Sequence, residues 1–170
     1  LDSMTALEVI NAQGCRDYEQ LMALQKRHPG CTIHYTVCLD GTEYPEDSTE
    51  VTLTKLTEEE LGLFQYLPML AKVNADGCTD YVLLQQLREL MPQCEIAYTL
   101  PIGGEEYTTD TTALELSGIT EEDIAMIAYL PKLETVHMVD PEAAPEVLLQ
   151  LVEMGIVLSV SRQIPAPRNG

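Results

Sequence analysis

Three histidines, five cysteines, eight tyrosines and 28 acidic side chains are the groups in this chain that could do chemistry. A nucleophile needs a base within reach, and the one arrangement of that kind in the sequence is His34 beside Cys31, read most simply as two strand positions near a helix end. No Gly-x-Ser-x-Gly elbow and no phosphate-cradling glycine loop occurs. Paired carboxylates are abundant, but so acidic a surface produces such pairs by number alone, so they identify no acid–base site. The residues therefore predict no enzyme and no catalytic group.

Metal chemistry fares no better. A structural zinc site needs four convergent ligands, no Cys-x-x-Cys pair is present, and the cysteines read as free thiols. The acidic loops Asp40 to Glu50 and Gly103 to Thr112 gather oxygen ligands of the kind calcium takes, at a spacing that matches no calcium loop, so no cofactor is predicted. Nine basic residues against 28 acidic ones give a net charge of -19, which repels phosphate backbones and anionic lipid heads. Nucleic acid is excluded as a partner on that ground. The longest apolar stretches, 143–151 and 156–160, are too short to span a bilayer, so no membrane insertion is predicted within the chain.

The elements that must position these groups are repeated. Residues 7–69 overlay residues 70–132 without a gap at a shift of 63, with about 26 identities, far more than chance gives. A shortened third copy occupies 133–163, and a proline-containing exit tail covers 164–170, so residues 1–170 read as one repeat domain. Each copy begins with a short strand (9–12; 73–75). A Gly-Cys-x-Asp-Tyr turn follows, and then a helix capped by Asp17 or Asp80 and stopped by Pro29 or Pro92. An alternating segment, 33–37 or 96–100, reads as a strand with one buried face. Asp40-Gly41 and Gly103-Gly104 mark tight reversals after it. A further strand (51–53; 114–116) leads into a second helix through a capping box of Thr57 with Glu60, or Thr120 with Asp123.

Leu70-x-x-Val73-x-Ala75-x-x-Cys78-Thr79, with Leu7-x-x-Ile10-x-Ala12-x-x-Cys15 one copy earlier, resembles the signature of cysteine-containing, ribonuclease-inhibitor-like leucine-rich repeats in an irregular bacterial form. The resemblance covers most of 7–139. It implies an α/β solenoid of strand–helix units with hairpin-like extensions. The alternative architecture is an α/β sheet built from a duplicated β-α-β-β unit. The solenoid would place Asn11, Gln13, Thr52, Thr54, Asn74, Asp76, Glu115, Ser117 and His137 on a concave strand face able to bind a protein, while Asn11 and Asn74 could equally form an asparagine ladder.

All eight tyrosines fall in repeat pairs, and Tyr44 with Tyr107, just beyond the reversals, is the pair expected at the surface. The function this implies is a non-catalytic protein–protein interaction module, a fragment of a larger bacterial surface or secreted protein. A cytoplasmic setting fits the thiols equally, and the oligomeric state is left open. The alternatives are a structural spacer between domains and a carbohydrate-binding module that uses the tyrosines.

Overall fold

The computed structural model describes residues 8–139 and 145–161. The exit tail and the Asp140-Pro141 step of the third copy lie outside the described residues. The chain divides into two compact units, 1–96 and 97–170.

In the first unit β1 (Val9–Ala12) runs into α1 (Tyr18–Arg27), which Asp17 caps by accepting the Gln20 N–H at 3.1 Å. The helix buries Tyr18 and Leu21. β2 (Thr32–Leu39) then returns parallel to β1, with Val9 opposite Thr32 and Ala12 opposite Tyr35. From Thr36 onward β2 changes partner and pairs antiparallel with β3 (Thr42–Pro45). The next sheet starts afresh with β4 (Glu50–Thr52), which pairs in parallel with β5 (Lys72–Asn74). Between those strands stand a single turn of helix, α2 (Glu58–Leu61), and the 3-10 turn Gly62–Tyr66. α3 (Tyr81–Leu90) presents Tyr81, Leu83, Leu84 and Leu87 to the core and leads to β6 (Glu95–Ala97), the third strand of that sheet. Val37, Leu39, Val51, Leu67, Val73, Ala75, Leu84 and Leu87 are wholly enclosed. Each large aliphatic side chain so buried contributes about 1.5–3 kcal/mol.

In the second unit β7 (Thr99–Ile102) and β8 (Glu105–Thr108) form a separate hairpin, and β9 (Ala113–Leu116) leads to α4 (Glu121–Ile127). β10 (Thr135–Val139), α5 (Pro145–Glu153) and β11 (Val157–Ser161) complete it. The strands lie parallel in the order β11-β10-β9, with Leu100, Ile102, Val136, Met138 and Leu151 fully buried in the unit.

The expected solenoid is not what the strands make, and neither is one sheet from a duplicated unit. Among the described residues the architecture is mixed α/β with small separate sheets, three of three strands and one of two. The physical reason lies at the hairpins. A stack propagates only while each strand offers its free edge to the next copy, and β2 gives its second half to β3 instead. In the second copy the corresponding stretch breaks at Tyr98 into β6 and β7, the latter paired, among the described residues, only with β8. Among the described residues no helix is long and apolar enough to cross a membrane.

Candidate functional site

The first reversal is a hairpin turn with both central residues left-handed, Asp40 at φ 47° and Gly41 at φ 75°, as the twist of the flanking strands favours. For a non-glycine residue that conformation is costly, and the Asp40 side chain offsets the cost. Its Oδ2 accepts from the Thr54 N–H at 2.7 Å, the Thr54 hydroxyl at 2.8 Å and the Lys55 N–H at 3.2 Å, and its own N–H donates to Glu60 Oε1 at 2.8 Å. The bonds from Thr54, with a smaller contribution from Lys55, hold the Asp40 carboxyl below the usual carboxylate range.

Tyr44 is half-buried. Its hydroxyl donates to the Thr52 carbonyl at 2.8 Å and accepts the Thr52 N–H at 3.2 Å. Of the residues singled out in the sequence, Thr52 and Tyr44 thus bond each other, while Thr54 is bonded to Asp40. The acidic loop is similarly engaged. Glu46 Oε1 lies 2.6 Å from His34 Nδ1, Glu46 Oε2 accepts the Tyr35 N–H at 3.3 Å, and Glu43 accepts the Thr36 hydroxyl at 3.2 Å.

The second copy repeats the frame and changes its filling. Gly103 and Gly104 turn with φ 60° and 88°, and the Gly103 N–H donates to Asp123 Oδ1 at 3.0 Å, as Asp40 does to Glu60. Desolvation acts to raise the Asp123 carboxyl, but the Gly103 and Thr120 hydrogen bonds outweigh it and leave it lowered. Gly103 has no carboxylate to offer the following loop. Tyr107, also half-buried, donates to Glu105 Oε2 at 3.1 Å and not to a strand carbonyl. What opens is a concavity of about 460 Å³ lined by Gly103, Glu105, Tyr107, Glu115, Ser117 and Gly118. It gathers Tyr107, Glu115 and Ser117 of the predicted residues. Burial raises the Tyr107 phenol, and the bond to Glu105 with the charges of Glu105 and Glu115 raises it further.

The remaining strand-face residues divide among sheets. Asn11 Oδ1 accepts the Gln13 N–H and Asn74 Oδ1 the Asp76 N–H, each at 3.1 Å. Each asparagine thus caps its own turn, from a different sheet, and they form no ladder. Thr52 stands opposite Asn74 on β4 and β5, and Glu115 opposite His137 on β9 and β10.

His137 has partners the sequence did not suggest. Its Nδ1 lies 2.8 Å from the Ser159 hydroxyl and its Nε2 3.0 Å from that of Ser161. The alternation Val157-Leu158-Ser159-Val160-Ser161 was the available signal, since it puts both serines on one strand face. A serine beside an imidazole is the start of a nucleophile–base pair. Here both ring nitrogens are taken by hydroxyls, so neither is left for the carboxylate of Glu115, and the ordered relay of a hydrolase is not assembled.

All five cysteines are free thiols, with Cys31, Cys78 and Cys94 buried. Among the described residues no three His, Cys, Asp or Glu side chains converge to hold a metal ion. The tyrosines serve packing: Tyr18 stacks on Tyr66 with ring centroids 4.9 Å apart, and Tyr35 and Tyr98 are buried. No family model, no curated protein and no solved structure matches the chain.

Proposed function

We propose that the chain is a non-catalytic protein–protein interaction module. The observation that supports this reading best is the outer strand of the second unit. Among the described residues β11 ends its sheet and leaves Val157 63% and Val160 50% exposed, and Leu149 and Val152 of α5, in the same unit, are exposed at 58% and 54%. A strand edge with no partner among the described residues and with exposed apolar side chains is a template for a strand from another chain, which gains main-chain hydrogen bonds and apolar contact together. The charge of -19 favours a partner with basic residues around that strand. Sugar stacking lacks comparable support, because all eight tyrosines are buried or half-buried. With this reading goes a parent protein at a bacterial cell surface or secreted, as the repeat motif implies.

The test is capture of proteins from an extract on the immobilised chain. Wild type is compared with V157K/V160K and with a variant carrying Asn11, Thr52, Asn74 and Glu115 changed to alanine. Capture lost only in the β11 variant is the expected result. Capture lost only in the quadruple variant moves the surface to the strand faces of β1, β4, β5 and β9. An empty eluate from every variant, wild type included, overturns the reading in favour of a spacer.

A further inference from the structure

The first copy shows what the loop after a copy's inner strand does with a carboxylate. The Thr54 N–H, the Thr54 hydroxyl and the Lys55 N–H converge on one oxygen of Asp40. The corresponding donors one copy on are the Ser117 N–H, the Ser117 hydroxyl and the Gly118 N–H, all retained in type. The acceptor is not retained, since glycine occupies position 103.

The frame around these groups is unchanged. The turn residue's N–H is held by the helix carboxylate in both copies, at 2.8 Å from Asp40 to Glu60 and 3.0 Å from Gly103 to Asp123. The capping boxes of Thr57 and Thr120 stand three residues beyond Thr54 and Ser117, and both loops bend at the same residue. Ser117 and Gly118 line the open concavity, and no hydrogen bond to a protein acceptor replaces Asp40 on them among the described residues. The donors that correspond to those holding Asp40 therefore sit on exposed residues at an open concavity, where the first copy supplies its own anion.

We propose that this concavity binds a carboxylate carrying a cationic group. The carboxylate takes the place of the Asp40 side chain on Ser117 and Gly118, and the cation lies against Glu115 and Glu105. The two glutamates are why a bare anion is the wrong ligand: their charges oppose it, whereas a zwitterion places its positive end on them. The chemistry is that of a free α-amino acid or of a peptide carboxy-terminus that ends in a basic residue. Gly103 determines whether the loop is open to a ligand or closed upon itself.

The test is amide NMR of the full chain titrated with glycine, acetate and methylammonium, and with a short peptide ending in lysine whose terminus is either free or amidated. Saturable shifts of the Ser117 and Gly118 amides with glycine or the free peptide are expected, with acetate at least tenfold weaker and the amidated peptide without effect. Response to glycine assigns a free amino acid, and response to the free peptide alone assigns a chain terminus. G103D should lose at least tenfold in affinity, because it installs the internal carboxylate. Its added Cβ meets the Leu116 Cδ2 at a tight 3.1 Å, and the left-handed region it would occupy, at φ 60°, is the one that Asp40 adopts in the first copy. Should that variant fail to fold, Ser117→Ala, which leaves the backbone intact, should weaken binding several-fold. In the first copy, Asp40→Gly should make the Thr54 and Lys55 amides respond to added acetate. Still amides at 117 and 118 with every probe, or wild-type affinity in folded G103D, would overturn the proposal, and acetate as tight as glycine would overturn its cationic half.

Discussion

The Tyr98 hydroxyl donates to the main-chain carbonyl of Tyr129 at 2.6 Å, and one copy earlier Tyr35 donates to Tyr66 at 2.8 Å. In each copy a buried tyrosine, Tyr35 within β2 and Tyr98 at the break between β6 and β7, is thereby tied to a carbonyl at or just beyond the end of the following helical segment. Both rings are almost fully enclosed, at 1% and 5% exposure. Burial, and for Tyr35 the nearby charge of Glu46, raises the Tyr35 phenol above its ordinary range, so it remains a donor at neutral pH.

Tyr98→Phe keeps the ring and removes the donor, leaving the Tyr129 carbonyl without this bond. A loss of about 1–2 kcal/mol in unfolding free energy is expected, with Tyr35→Phe in the same range. Urea unfolding measures it, and midpoints unchanged by either substitution would show that the bond adds nothing net.

Asp40 gives a pH dependence. Its carboxyl is held below the usual range by Thr54 first and by Lys55. A depressed folded value means that the stabilisation is complete above the unfolded carboxylate's value, and is lost as pH falls through the folded one. Asp40→Asn tolerates the left-handed turn but carries no charge. It should cost at most about 1 kcal/mol at pH 7, because the site is largely solvated, and nothing at a pH below the folded value. Thermal melts from pH 7 to pH 2 should show the two chains converging on acidification.

The thiols should separate by rate. Burial raises the thiols of Cys78 and Cys94, the latter helped by Glu95, so at neutral pH even less of each is thiolate than in a free cysteine. Cys15 and Cys38 are half-exposed. Native alkylation followed by peptide mapping should label these two at least tenfold faster than Cys78 and Cys94. Equal rates would mean that the buried pair is reached by frequent local opening.

Much of the local structure was legible in the residues because caps and turns are decided within a few positions. Asp17 and Asp80 cap their helices, and the capping boxes at Thr57 and Thr120 form with both reciprocal bonds, as their spacing predicts. The sheets were not legible, because pairing is non-local: nothing in 32–39 announces that β2 leaves β1 for β3 halfway along. Of the predicted strand face, neighbours such as Thr52 and Asn74 do come together, while Asn11 lies in another sheet. The exchange of Asp40 for Gly103 is plain in the alignment. Its consequence appears only when the Asp40 carboxylate is seen to hold Thr54 and Lys55. Ser159 and Ser161 stood in an alternating stretch, but their bonds to His137 depend on the register of β10 with β11.

Glu60 and Asp123 each join a helix start to a hairpin turn. One oxygen of Glu60 closes the capping box with the Thr57 N–H and hydroxyl at 3.1 and 3.0 Å, while the other accepts the Asp40 N–H. Asp123 divides its oxygens in the same way between Thr120 and Gly103. Loss of a cap costs about 1 kcal/mol. Removing the carboxylate also orphans a turn N–H, so Asp123→Ala should be more damaging than Thr120→Ala, by up to about 1 kcal/mol. Because the Asp123 carboxyl is lowered in the folded state, the difference should be present at neutral pH and shrink as pH falls through its folded value. Paired denaturation curves of D123A and T120A at pH 7 and pH 3 decide the matter. Equal stability at pH 7 would mean that the turn is held without the helix, and the link between the two elements would be geometric only.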